Sequence, residues 1–247
     1  AKKSGVEFTS VTKLFFDLCP RHVIGVTGTK GKGTTATLIH EMLKASKLDV
    51  YLGGNIGKPP LDFIDDLKPS SWAIIELSSF QLEDLEKSPQ VAVVLMITQE
   101  HLNSQAADSP NYHRSINDYF EAKKNIVKYQ SEEDFAVVNA DYKNSVNLTK
   151  NVKSKVIYFS TEKSLSEGAY INDDNLLLCL NKNCQVITKR GGVFLRGNHN
   201  LQNVHAAAAA ASIAGANISD IGAVVKTFKG LEHRLEFVRY LNGVKFY

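Results

Sequence analysis

The 247-residue sequence predicts an α/β fold, a mostly parallel sheet flanked by helices with a small antiparallel β meander appended. Three observations carry that expectation. Apolar, β-rich runs alternate with helical patterns along most of the chain. Several of those runs are apolar without a break, as strands covered on both faces are. After Gly168 the pattern changes to short runs split by Asn-Lys-Asn and Gly-Gly turn signals. Strand-helix-strand repetition of the first kind implies parallel strands joined by right-handed crossovers.

Each element has its own local signal. Strands are expected over residues 22–27, 49–52, 72–77, 91–98, 135–139 and 156–159. Between the first two, residues 34–46 place Leu38, Ile39, Met42 and Leu43 at helical spacing, and residues 119–126 read as another helix. The meander, 168–196, contains the runs 175–180, 185–188 and 193–195. Residues 200–214 are rich in alanine and stop before Gly215, a helix with a glycine stop. A second helix over 220–228 takes Ser219 as its cap and ends near Gly230. Residues 234–247 read as two strands around Asn242-Gly243.

Composition excludes several classes. With 29 Lys and Arg against 26 Asp and Glu, the net charge of +3 is too mild for a nucleic-acid patch. At 43% hydrophobic and 22% charged the chain is that of an ordinary globular protein. No apolar run approaches the ~18 residues of a membrane span. Cys19, Cys179 and Cys184 are an odd set without C-x-x-C spacing, so neither a disulfide framework nor a zinc knuckle is expected, and a reducing cytosol fits. The basic start, Ala1-Lys2-Lys3-Ser4, does not lead into the apolar region of a signal peptide.

The sharpest local signal is Val23-Ile24-Gly25-Val26-Thr27-Gly28-Thr29-Lys30-Gly31-Lys32-Gly33-Thr34-Thr35, a buried strand entering a glycine-rich loop that opens a helix. Glycines let the backbone wrap a phosphate, amides at the helix start point at it, and Lys32 supplies a mobile charge for the β and γ oxygens. The expected fold class is therefore a P-loop sheet. The loop departs from the general G-x-x-x-x-G-K-[ST] pattern: Val26 stands where the first glycine belongs, and Gly33 where a Ser or Thr gives its hydroxyl to Mg²⁺. Thr34, one residue on, is expected to take that part. Glu76 ends the apolar run Trp72-Ala73-Ile74-Ile75, at the sheet edge where ligands gather in open α/β folds, and a hard carboxylate there suits Mg²⁺.

Taken together with several stretches downstream, the loop resembles that of the Mur ligase family, the ATP-dependent amide-forming enzymes of peptidoglycan precursor synthesis, whose relatives include folylpolyglutamate synthetases. Gly53-Gly54-Asn55-Ile56-Gly57-Lys58-Pro59 and Glu76-Leu77-Ser78-Ser79-Phe80-Gln81-Leu82-Glu83 resemble the branch that adds D-glutamate to UDP-N-acetylmuramoyl-L-alanine. His101, Ala122-Lys123, Asn139-Ala140-Asp141, Gly197-x-His199-Asn200-x-x-Asn203 and His233-Arg234 continue the series in chain order.

The resemblance implies roles. ATP would be held by Gly28, Thr29, Lys30, Gly31, Lys32, Gly33, Thr34 and Thr35, by Asn203, and by Arg234 reaching from a hinge. Asn55, Ser78 and Gln81 would hold the muramoyl substrate. Thr34, Glu76, His101 and a carbamylated Lys123 would serve Mg²⁺, with Lys32, His101 and Lys123 as the catalytic set. Composition alone does not separate Lys123 from Lys124; only the Ala-Lys-x-x-Ile register of the family does. Relatives usually read Asp-His-Leu-Asp where this chain has Glu100-His101-Leu102-Asn103, then an apparent insertion over 104–112 before His113.

The resemblance further implies a three-domain enzyme. Residues 1–20 would be a linker from an N-terminal UDP-binding domain, 21–230 the central ATPase, and 231–247 the hinge and first strands of a C-terminal domain. Expected cofactors are ATP and Mg²⁺. Expected partners are the small molecules UDP-N-acetylmuramoyl-L-alanine and D-glutamate, with no nucleic acid and no membrane, in a cytoplasmic monomer. Two other readings stay open. Gly31-Lys32-Gly33-Thr34 resembles the Gly-Lys-Gly-Ser of folylpolyglutamate synthetases, and a P-loop alone would also serve a nucleotide-binding module without catalysis.

Overall fold

A computed structural model describes residues 9–20, 22–98, 113, 115–231, 239–241 and 243–246. Its centre is a nine-stranded sheet in the order β2-β3-β1-β4-β5-β6-β7-β8-β9. The strands are β1 (Val23–Thr27), β2 (Val50–Gly54), β3 (Trp72–Glu76), β4 (Val91–Val94), β5 (Phe135–Asn139), β6 (Lys155–Ser160), β7 (Gly168–Asn172), β8 (Asn175–Leu180) and β9 (Asn183–Lys189). Neighbours from β2 to β7 run parallel, and β7, β8 and β9 form the antiparallel meander. The expected architecture is present.

Period-two alternation divides the core strands between two apolar layers, because successive side chains of a strand point to opposite faces. Ile24, Val26, Ile74, Val91 and Val93 join one buried cluster, while Val23, Ala73, Ile75, Ala92 and Val94 join the other. The first layer is covered by α2 (Lys32–Ala45), α6 (Asn198–Ile213) and α7 (Ile218–Thr227). The second is covered by α1 (Val11–Leu18), α3 (Ser79–Glu83), α4 (Ile116–Lys128) and α5 (Lys143–Leu148). Within the stretch expected to be a linker, α1 is capped by Ser10 and buries Phe15 and Phe16. Ala206 to Ala211 of α6 are each 0% exposed, so the run of small side chains sets a close helix contact with α2.

Four local expectations are corrected. The strand expected over 91–98 stops at Val94, because beyond it the donors of Ile97 and Thr98 turn to the side chains of Ser145 and Thr29. Residues 193–195 form no strand; after a 3₁₀ turn over Arg190–Gly192, Phe194 N–H donates to the Val225 carbonyl of α7 instead. The last helix begins at Ile218 with Asn217, not Ser219, as N-cap, and Asp220 N–H donates to the Asn217 carbonyl. Cys179 and Cys184 are joined as a disulfide, because the β8–β9 register sets them directly opposite one another. Spacing rules for cysteine do not see that hairpin pairing.

A separate hairpin pairs β10 (Arg239–Leu241) with β11 (Val244–Phe246), as expected around Gly243. Among the described residues, no helix is long and apolar enough to cross a membrane.

Candidate active site

The carboxyl ends of β1, β2 and β3 open onto one cleft of about 260 Å³, lined among others by Gly28, Thr29, Lys32, Asn55, Ser78, Tyr119 and Lys123. Its floor is the loop between β1 and α2. Gly31 is the N-cap of α2 with φ of +87°, a left-handed conformation that glycine adopts without a Cβ penalty. A Cβ at Gly31 would also collide with the side-chain oxygen of Asn203. That contact brings Asn203 of α6 onto the loop between β1 and α2. Asn203 is held there by donating from Nδ2 to Asn200 Oδ1 at 3.1 Å, while Asn200 donates to the Arg196 carbonyl at 2.7 Å.

The loop is laced to its surroundings. Thr27 Oγ1 donates to the Leu77 carbonyl at 2.9 Å, and Thr29 N–H donates to the Met96 carbonyl at 2.8 Å. The Thr29 hydroxyl lies 3.0 Å from the Tyr119 hydroxyl and accepts from Thr98 N–H at 2.9 Å. Lys32 folds over the loop, its Nζ donating to the carbonyls of Gly28 and Thr29 at 3.2 and 3.3 Å. Lys30 is exposed at the loop tip and Thr34 half-buried, whereas Thr35 is buried with no hydrogen-bond partner for its hydroxyl among the described residues.

Lys123 reaches the same loop from α4. It is 2% exposed, donates to Thr27 Oγ1 at 3.1 Å and to the Gly28 carbonyl at 3.2 Å, and lies 4.9 Å from the Tyr119 ring centroid. Lys124 is half-buried, one helical position and ~100° around the axis. Tertiary packing thus separates two lysines that composition leaves equivalent.

Glu76, 7% exposed, ends β3 beside the loop. A Cβ built at Gly33 would stand 3.3 Å from Glu76 Oε2. Gly54 lets β2 pass close to the Glu76 backbone, with φ of +104° and no room for a side chain. The chain then delivers Asn55 to the cleft, where its Nδ2 donates to Gln81 Oε1 at 3.1 Å. Ser78 and Gln81 form the capping box of α3: Gln81 N–H donates to Ser78 Oγ at 3.2 Å, and Ser78 N–H donates to Gln81 Oε1 at 2.9 Å. The three residues expected on the substrate side are therefore one hydrogen-bonded group, of which Asn55 and Ser78 line the cleft.

Sequence reasoning missed a cluster beside them. His113, 3% exposed, hydrogen-bonds Ser79 Oγ through Nε2 at 2.8 Å, stacks on Phe80 with centroids 4.4 Å apart, and meets Tyr119 edge-on at 5.6 Å. It links the α3 turn to α4. The signal available for Tyr119 was its position four residues before Lys123, on one helix face. His101 and Arg234 lie outside the described residues, as does the insertion over 104–112. Leu231, three residues before Arg234, has Cδ1 3.3 Å from a Cβ built at Gly33, so the chain returns to the loop there.

Among the described residues, no cluster of three His, Cys, Asp or Glu side chains is assembled for a metal. A hard carboxylate at a phosphate loop nonetheless suits Mg²⁺, which keeps several waters and is held by one or two carboxylates together with substrate phosphates. The donor set fits that ion.

A parallel sheet whose first strand feeds a glycine-lysine loop, with an acidic residue on the neighbouring strand's end, defines a P-loop α/β domain. The family model of the Mur ligase middle domain matches residues 26–211, and the chain belongs to the Mur ligase family. It is 42% identical over its whole length to a UDP-N-acetylmuramoylalanine--D-glutamate ligase of Acetivibrio thermocellus, covering 51% of that protein. It is 40% identical, again over its whole length, to the ligase of the same name from Geobacillus kaustophilus, covering 52% of it. The chain thus spans about half the length of the curated relatives it matches. Among solved structures, a UDP-N-acetylmuramoyl-L-alanyl-D-glutamate--2,6-diaminopimelate ligase superimposes with a TM-score of 0.71 at 22% identity, over 90% of this chain and 49% of that one. A UDP-N-acetylmuramoylalanyl-D-glutamyl-2,6-diaminopimelate--D-alanyl-D-alanyl ligase from Acinetobacter baumannii gives 0.67 at 19% identity, over 94% and 51%. These two similarities show the shared fold.

Proposed function

We propose that this chain is the ATP-binding core of a cytoplasmic, ADP-forming ligase that adds D-glutamate to UDP-N-acetylmuramoyl-L-alanine. The carrying observation is that Lys32 and Lys123 line one cleft together with Asn55 and Ser78, which Gln81 ties to one another, while Glu76 stands beside the loop at position 33. Residues 21–230 form the ATPase unit in this reading, with 231–247 leading into the domain that receives the amino acid.

In the proposed reaction the substrate carboxylate attacks the γ-phosphorus of ATP, the bond to the β,γ-bridging oxygen breaks, and an acyl phosphate and ADP result. The amine of D-glutamate then displaces phosphate and releases a proton. Two anions must meet in the first step, so catalysis rests on positioning and charge stabilisation. The loop amides and the Lys32 ammonium surround the phosphates and offset that repulsion. Asn203 keeps α6 against the loop, and Arg234 adds a cation from the hinge. Asn55, Ser78 and Gln81 orient the muramoyl side. Glu76, His101 and a carbamylated Lys123 would hold two Mg²⁺ ions between them, which would supply Lewis-acid stabilisation of phosphoryl oxygens.

The test is ADP release by the intact protein with UDP-N-acetylmuramoyl-L-alanine, comparing D-glutamate with L-glutamate, L-lysine and diaminopimelate. Strict dependence on D-glutamate supports the reading, and no dependence on it refutes it. Gly31-Lys32-Gly33-Thr34 favours a second reading, a folylpolyglutamate synthetase-like ligase; a folate acceptor with L-glutamate in the same assay distinguishes the two.

A further inference from the structure

The geometry points to Gly33 as a determinant of how this site binds its cation: the loop withholds the hydroxyl that the general pattern provides, and a water molecule takes its place beside Glu76. This rests on the proposed ATP and Mg²⁺ chemistry. In the general pattern the residue after the loop lysine is Ser or Thr, and its hydroxyl binds Mg²⁺. Here that residue is Gly33, buried in the first turn of α2. A Cβ built on it stands 3.3 Å from Glu76 Oε2, 3.3 Å from Leu231 Cδ1 and 3.5 Å from Ile56 Cγ2. Position 33 therefore faces the carboxylate, with two apolar side chains closing its flanks.

The next two residues, both threonines, do not share this direction. In a helix each residue is turned by ~100° from the one before, so Thr34 projects from another face and Thr35 from nearly the opposite one. Thr35 is in fact buried at 0% exposure. The part expected of Thr34 therefore falls to water. That exchange suits Mg²⁺, which dehydrates reluctantly and keeps waters in its shell. The consequence is a cation held more by Glu76 and the nucleotide and less by the loop. Restoring the hydroxyl at position 33 should add a protein ligand and expel one water.

The experiment uses the intact protein with a non-hydrolysable ATP analogue and Mn²⁺ as the probe. Electron paramagnetic resonance titration reads affinity, and water-proton relaxation reads the number of metal-bound waters. Gly33→Ser is expected to remove one water and tighten Mn²⁺ about fivefold, the weight of one polar ligand. Gly33→Ala, which adds the Cβ alone, should keep the wild-type water number. Thr34→Val avoids the crowded position and should also leave it unchanged. If Gly33→Ser matches Gly33→Ala in both readouts, or Thr34→Val gains a water, the inference is overturned while the ligase reading stands. If the wild type binds no Mn²⁺ with nucleotide, or Glu76→Gln binds it equally well, the underlying assignment of the metal site fails and takes the inference with it. Thermal unfolding of each variant checks that the fold is kept.

Discussion

The ammonium groups of Lys32 and Lys123 share an acceptor: each donates to the Gly28 carbonyl oxygen at 3.2 Å. One lysine comes from the start of α2 and the other from the middle of α4. Two cations so placed repel, and a carbamate on Lys123 would turn that repulsion into attraction while adding oxygen donors. Incubation of the intact protein with ¹³C-bicarbonate should label Lys123, seen as a carbamate resonance that is missing in Lys123→Arg. Lys123→Arg should also lower kcat by on the order of 10²-fold or more. A labelled Lys123→Arg protein, or one with wild-type kcat, would contradict this.

Lys32→Ala and Glu76→Ala should each abolish ATP-dependent ligation in the intact enzyme. The check is a coupled ADP-release assay. Wild-type phosphate release by either variant would sink the assignment of the cleft.

Gly31→Ala meets two obstacles, a left-handed backbone at φ of +87° and the side-chain oxygen of Asn203. It should cost about 1–3 kcal/mol of stability and weaken nucleotide binding. Asn203→Ala in the same background removes the collision, so calorimetry should show part of the stability returning. Additive losses in the double variant would show that the two residues do not touch.

Tyr119→Phe removes the hydroxyl 3.0 Å from Thr29 Oγ1 and leaves the ring beneath Lys123. The expected loss is one hydrogen bond of about 1 kcal/mol, read as a several-fold rise in KM for ATP with less change in kcat. An unchanged KM would mean that the loop does not depend on this link.

His205 is fully buried on α6, and burial, partly opposed by its hydrogen bond to the Leu201 carbonyl at 2.7 Å, lowers its pKa below the usual 6.5. The folded state therefore refuses a proton that the unfolded state takes up. Its contribution to stability is complete above the unfolded pKa and is lost as pH falls below about 6.5. Urea midpoints between about pH 7.5 and about pH 5.5 should fall more steeply for wild type than for His205→Gln. Equal slopes would disprove it.

Much of this fold is legible in the sequence because it is local. Unbroken apolar runs mark strands covered on both faces, and Gly31-Lys32 marks the turn into a helix. Glu76 is placed at the sheet edge by its position at the end of an apolar run. Strand ends and caps are less legible: the 91–98 run reads as too long a strand because Leu95 and Ile97 are as buried as strand residues while the donors of Ile97 and Thr98 go to side chains. The wrong cap on α7 arises from two nearby candidates, Asn217 and Ser219, with equal local credentials.

By itself the sequence determined the α/β class, most of the parallel strands, the long helices and the glycine-rich loop, since hydrophobic periodicity and glycine placement act within a few residues; the short helices α1, α3 and α5 and the strand β7 were not read from it. Only the tertiary structure decided which groups meet across the chain. It buried Lys123 and not Lys124, set Asn203 against Gly31, gathered His113, Ser79 and Tyr119, paired Cys179 with Cys184 and turned position 33 toward Glu76. Those choices depend on helix rotation and strand register, which the packing of the whole sheet fixes and no short window of residues contains.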